Sequence, residues 1–196
     1  RRRGAVLVLA AVVALGYGTV QRNRDYRSSM AIWQTVVEAV PLNPRALTYL
    51  GLAHYEQGKA QEAIEHYGRA LRLKPDYAEA HNNLGIALGS QGQVEMAVHH
   101  FRQTVQLEPG LVEGHNNLGN ALVTTGRLDE AIEHYGRALR LKPDYAEAHN
   151  NLGIALSLQG RVEEAIHHFQ QALELKPDYT EARNNLGIAL RSRDQD

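Results

Sequence analysis

The stretch Glu79-Ala-His-Asn-Asn-Leu-Gly-Ile-Ala-Leu88 decides the fold. Its apolar and small residues at 80, 84, 87 and 88 follow the spacing of one helix face. Gly92 ends that helix, and Val94, Ala97, Val98, Phe101 and Val105 begin a second stripe of the same period. Pro109 then stops the second helix, because proline cannot continue a backbone ladder. The unit is a helix hairpin with an apolar seam.

The same unit recurs along the chain with a period of 34, in Pro41, Pro75, Pro109, Pro143 and Pro177 and in the pairs Leu50-Gly51, Leu84-Gly85, Leu118-Gly119, Leu152-Gly153 and Leu186-Gly187. A second glycine returns at Gly58, Gly92, Gly126 and Gly160, followed by Ala63, Ala97, Ala131 and Ala165. An aromatic column runs through Trp33, Tyr67, Phe101, Tyr135 and Phe169. A glycine inside a helix costs about 1 kcal/mol against alanine, so the recurring Gly51, Gly85, Gly119, Gly153 and Gly187 imply close helix approach beside the aromatic. No single hairpin buries its own seam, so neighbours must stack into a solenoid. Residues 62–88 and 130–156 are identical, the mark of a duplicated two-repeat block.

This pattern closely resembles the tetratricopeptide repeat family over about residues 25–190. The resemblance implies an all-α, right-handed superhelix of helix-turn-helix repeats. The expected divisions are a basic-flanked apolar helix at 1–24, a half-repeat at 25–43, repeats at 44–77, 78–111, 112–145 and 146–179, and a half-repeat at 180–196.

Charge narrows the function. The 196 residues carry 21 Lys plus Arg against 22 Asp plus Glu, but the distribution is uneven. Residues 1–27 hold six Arg and one Asp, net +5, and the remainder holds 15 basic and 21 acidic residues, net −6. An acidic body is unsuited to nucleic acid, whose phosphates need clustered cations. The absence of cysteine excludes disulfides and thiolate chemistry.

Gly4 to Val20 contains no charge and as a helix would span about 26 Å, near the ~30 Å of a hydrocarbon core. Arg1 to Arg3 and Arg22, Arg24 and Arg27 flank it, suited to lipid head groups. Three readings stand: a membrane helix, a cleaved signal segment, and an apolar helix buried between subunits. The stretch from Arg22 to Ala46 also resembles the junction in bacterial membrane proteins where a last transmembrane helix enters a repeat array. Those proteins are often similar to glycosyltransferases, which would make this chain the tail of a larger protein. A membrane-anchored array on the periplasmic or extracellular side is the expectation. Unpaired terminal helices at 25–40 and 180–190 also suggest a homo-oligomer built head to tail.

The candidate site is a double asparagine column: Asn82 and Asn83, Asn116 and Asn117, Asn150 and Asn151, Asn184 and Asn185, with Asn120 beside it. Asparagine is a mediocre helix former, so a column of eight needs an offsetting gain. Glu79, Asn83, Ile86 and Ser90 share one helical stripe, and Glu113, Glu147 and Glu181 extend an acidic row beside the amides. The arrangement resembles the asparagine ladder of peptide O-GlcNAc transferases, which implies a groove holding an extended peptide or protein partner by its backbone. The residues themselves leave a second reading, in which the amides bond one another between repeats. The glutamates also suit the helix dipole in the first turn, and they stand where a carboxylate-binding clamp would need cations.

Ten histidines invite a metal, but His99-His100 and His167-His168 diverge by about 100° on a helix, and Glu95 with His99 or Glu163 with His167 gives only two ligands. His81, His115 and His149 fall where the resemblance implies packing aromatics. No metal, cofactor or catalytic residue is expected, since the sequence holds none of the common hydrolase, nucleotide or metalloprotease motifs.

Overall fold

The computed structural model describes residues 29–194. The apolar stretch 4–20 and its arginine flanks lie outside the described residues, and among the described residues no helix is long and apolar enough to cross a membrane. Every regular element described is a helix. Residues 29–39 form α1, followed by α2 (Pro44–Glu56), α3 (Ala60–Leu73), α4 (Ala78–Ser90), α5 (Val94–Leu107), α6 (Val112–Thr124), α7 (Leu128–Leu141), α8 (Ala146–Leu158), α9 (Val162–Leu175) and α10 (Thr180–Arg193).

The chain divides into two compact units, one ending at Pro75 and the other beginning at Asp76. In the first, α2 packs on α3. Asn43 caps α2, its side-chain oxygen accepting from the backbone N–H groups of Arg45 and Ala46 at 3.1 and 3.2 Å, which satisfies donors left open at a helix start. Trp33 stacks on Tyr49 with ring centroids 4.7 Å apart.

In the second unit α4 pairs with α5, α6 with α7 and α8 with α9, while α5 lies on α6, α7 on α8 and α10 on α9. This is the stacked-hairpin solenoid that the period implies. The first helix of each hairpin stops the same way. Gly92, Gly126 and Gly160 sit at φ of 74 to 76°, a left-handed conformation that side chains resist. After α4, Gln93 N–H donates back to Leu88 O at 3.0 Å and Gly92 N–H to Gly89 O at 3.0 Å, a double closure that satisfies the orphan carbonyls.

The helical glycines explain the aromatic column. A Cβ on Gly85 would stand 2.6 Å from Phe101, on Gly119 2.5 Å from Tyr135, and on Gly153 2.6 Å from Phe169. Each ring takes the space that a Cβ on its partner helix would need, and Tyr135 and Phe169 are only 1% exposed. Gly187 on α10 meets no ring; the nearest atom to its Cβ position is Arg191 Nη1 at 3.8 Å.

Candidate functional site

The asparagines occupy the first helices of the second unit. Adjacent helical residues point about 100° apart, so the two amides of each pair face different surroundings. Asn116 is 6% exposed and Asn150 fully buried, whereas Asn117, Asn151 and Asn185 are half-buried and Asn120 and Asn184 exposed. Asn82 and Asn83 are both half-buried.

The two columns join across repeats. Asn117 Nδ2 donates to Asn82 Oδ1 at 3.1 Å, Asn151 Nδ2 to Asn116 Oδ1 at 3.1 Å, and Asn185 Nδ2 to Asn150 Oδ1 at 3.0 Å. Asn150 Nδ2 donates in turn to Glu181 Oε1 at 3.3 Å. The first asparagine of a pair is therefore a strut between repeats. The second uses one N–H on the strut and keeps the other N–H for the helix face, together with lone pairs on its oxygen, one of which at Asn151 faces Asn150 Nδ2 at 3.5 Å. The strut predicts its own test. Asn150→Ala removes an acceptor and two donors from a buried position and should destabilise the chain by about 1–3 kcal/mol, with Asn184→Ala near neutral. Urea midpoints by circular dichroism measure both.

The four glutamates lie at the first turns of α4, α6, α8 and α10. Tyr77 Oη donates to Glu79 Oε2 at 2.6 Å, and Lys176 Nζ stands 3.7 Å from Glu147 Oε1. Glu113 and Glu181 are exposed. Burial raises the pKa of the Tyr145 phenol, and Glu113 and Glu147 raise it further; burial raises that of Tyr179, with Glu181 and Glu147 adding to it. The N-terminal edge of the first helices is thus a row of carboxylates and phenols.

Two clefts open beside the amides. One, of about 270 Å³, lies where α4, α5 and α6 meet, with Ile86, Phe101, Asn117 and Asn120 in its lining. The other, of about 130 Å³, lies between α8 and α10, lined by Ile154, Ser157, Leu158, Phe169, Asn185 and Ile188. The Phe169 cleft is almost wholly apolar, whereas polar atoms make up nearly half of the exposed lining of the Phe101 cleft; apolar walls with a few fixed polar groups are the usual make-up of a binding site.

The histidines form pairs that the sequence did not disclose. His81 Nδ1 faces His100 Nδ1 at 2.9 Å, His115 faces His134 at 3.0 Å, and His149 faces His168 at 3.1 Å. His115 and His149 reach the carbonyls of Pro109 and Pro143 through Nε2 at 3.0 and 3.1 Å. A carbonyl only accepts, so Nε2 carries the proton and Nδ1 accepts from the partner ring. These are hydrogen bonds; imidazoles sharing a tetrahedral zinc would sit about 3.3 Å apart, from Zn–N bonds of about 2.05 Å. Among the described residues no three His, Cys, Asp or Glu side chains converge on a common point for a metal. The repeating spacing of 19 between paired rings was the available signal.

Comparison with known proteins follows the same lines. Family models described as TPR repeat match residues 51–92 and 119–160, and models described as Tetratricopeptide repeat match 78–107 and 146–179. Among solved structures, MamA superposes with a TM-score of 0.73 at 25% identity, over 82% of this chain and 94% of that one. YrrB, described as a TPR protein with an unusual peptide-binding site, gives 0.72 at 21% identity, over 85% and 86%. Among curated proteins, the mouse Protein O-mannosyl-transferase TMTC1 is 34% identical over 88 residues, which is 42% of this chain and 9% of that protein. Protein O-mannosyl-transferase Tmtc2 of Drosophila melanogaster is 31% identical over 72 residues, 37% of this chain and 8% of that protein. The matched segments thus span less than a tenth of either transferase.

Proposed function

Because the chain belongs to the tetratricopeptide repeat family, we propose that it is a non-catalytic scaffold that binds an extended segment of a partner protein along the first-helix face of its second unit. The observation that carries this reading is the row of amides at Asn117, Asn151 and Asn185, each fixed by a bond to the preceding repeat. A fixed amide offers one donor and one acceptor to a peptide backbone at little further entropic cost. The exposed Glu113 and Glu181 favour a segment with basic side chains.

The test is binding of a randomised peptide library to the whole chain, compared with the Asn117→Ala, Asn151→Ala double variant. Two lost hydrogen bonds at about 0.5–1.5 kcal/mol each correspond to a loss of roughly 5-fold to 150-fold in affinity. Unchanged affinity in a folded variant overturns the role of the amides.

The partial likeness to O-mannosyl-transferases favours a second reading: the array is the accessory region of a longer transferase-like membrane protein, with 4–20 as its adjoining membrane helix. Sedimentation with and without mild detergent tests the tether. Detergent release supports it; a pellet that survives detergent favours a polymer with that apolar segment between subunits.

A further inference from the structure

The two clefts are not neighbours; the repeat of α6 and α7 lies between them. In the repeat of α4 and α5 the aromatic is Phe101 and the residue one before the end of the first helix is Gly89, and in the repeat of α8 and α9 they are Phe169 and Ser157. Between them, the repeat of α6 and α7 has Tyr135 and Val123. The Tyr135 hydroxyl donates to Asn120 Oδ1 at 2.7 Å, and Asn120 stands where the flanking repeats have Ile86 and Ile154. Tyr135 thus carries a hydroxyl that Phe101 and Phe169 lack, and Val123 takes the place of Gly89. The alternation of a small residue with Phe and a larger one with Tyr continues at Tyr55 and Tyr67, in step with the duplicated block.

We propose that the groove takes its ligand in a fixed register, with two apolar side chains of one extended segment, about six residues apart, seated in the Phe101 and Phe169 clefts. This rests on the groove reading above and specifies its ligand. Helices in contact lie about 8–10 Å apart, so clefts two repeats apart are separated by roughly 20 Å. An extended chain rises about 3.3 Å per residue, which gives six residues, and an even separation places both side chains on the same side. A cavity of about 150 Å³ holds a benzene ring. The cleft of about 270 Å³ at Phe101 therefore suits an aromatic or long aliphatic side chain, and that of about 130 Å³ at Phe169 a smaller aliphatic one. The exposed Glu113 and Glu181, at the first turns of α6 and α10, favour Lys or Arg among the intervening positions.

Selection of random twelve-residue peptides on the whole chain tests this register. Recovered peptides should share apolar residues at i and i+6, with basic residues between. Gly89→Val should then weaken the selected peptide at least tenfold and remove the preference at one anchor only. That variant is expected to fold, since the nearest atom to a Cβ on Gly89 is Ala97 Cβ at 3.9 Å. Ser157→Val should remove the preference at the other anchor. Peptides that bind without the i, i+6 pattern, and lose binding in the asparagine double variant, overturn the register and leave the groove standing. Peptides indifferent to both valine variants do the same. Absence of any peptide binding overturns both.

Discussion

Gly119→Ala is expected to lower the stability of the array by about 2 kcal/mol, although alanine is the better helix former. The added methyl would lie 2.5 and 2.7 Å from Cε1 and Cζ of Tyr135. That ring is 1% exposed, and its hydroxyl is held by Asn120, so it has nowhere to swing. Overpacking costs up to about 3 kcal/mol or more where the neighbour cannot move, and the ~1 kcal/mol of helix propensity gained leaves a net loss of about 2 kcal/mol. Gly136→Ala is the control. It is also a helical glycine, but its Cβ would meet only the flexible end of Arg140, at 3.6 Å. There propensity decides, and the variant should gain about 0.5–1 kcal/mol. Urea midpoints with unchanged slopes measure both. If the two substitutions shift stability in the same direction, the aromatic seat is not what keeps glycine at 119.

That contrast marks how far the sequence could be read. The Leu-Gly column at a period of 34 announced a helix pair approaching at glycine, and the ring against Gly85, Gly119 and Gly153 is where the spacing of the aromatic column put it. The asparagine column was visible too, but the sequence left open whether its amides face a ligand or one another. The structure divides the column, with Asn116 and Asn150 buried and Asn117, Asn151 and Asn185 bonded back to Asn82, Asn116 and Asn150 of the preceding repeats. A strip of text cannot show this, because neighbouring residues share a column but not a direction. The Tyr135 to Asn120 bond and the histidine pairs join residues on opposite helices of a hairpin. Their detection needed the relative rotation of two helices, which packing sets and periodicity does not.

The histidine pairs carry the second large effect: the array should lose about 3–6 kcal/mol of stability as pH falls from 7.5 to 4. Burial pushes the pKa of His100, His134 and His168 down to about 4, with the partner ring the next cause in each. His99 and His167 add to the effect at His100 and His168, and Arg137 adds to it at His134, against the opposing charges of Glu133, Glu130 and Glu164. His115 and His149 are also lowered, by burial first, partly countered by their bonds to Pro109 and Pro143. An unfolded histidine titrates near 6.5, so between about 6.5 and 4 the unfolded chain binds protons that the folded chain refuses. The stabilisation is therefore complete above 6.5 and lost progressively as pH falls towards 4. Taken whole, each shift would be worth about 3 kcal/mol. Partial exposure and sharing of the first proton within a pair reduce this to about 1–2 kcal/mol per pair. His134→Asn keeps an N–H donor beside His115 but cannot titrate, and should remove about a third of the pH dependence. The corresponding changes at His100 and His168 should remove most of the rest. A urea midpoint that stays constant from pH 7.5 to 4.5, or falls equally in the triple variant, would show that the Nδ1 pairs do not govern acid sensitivity.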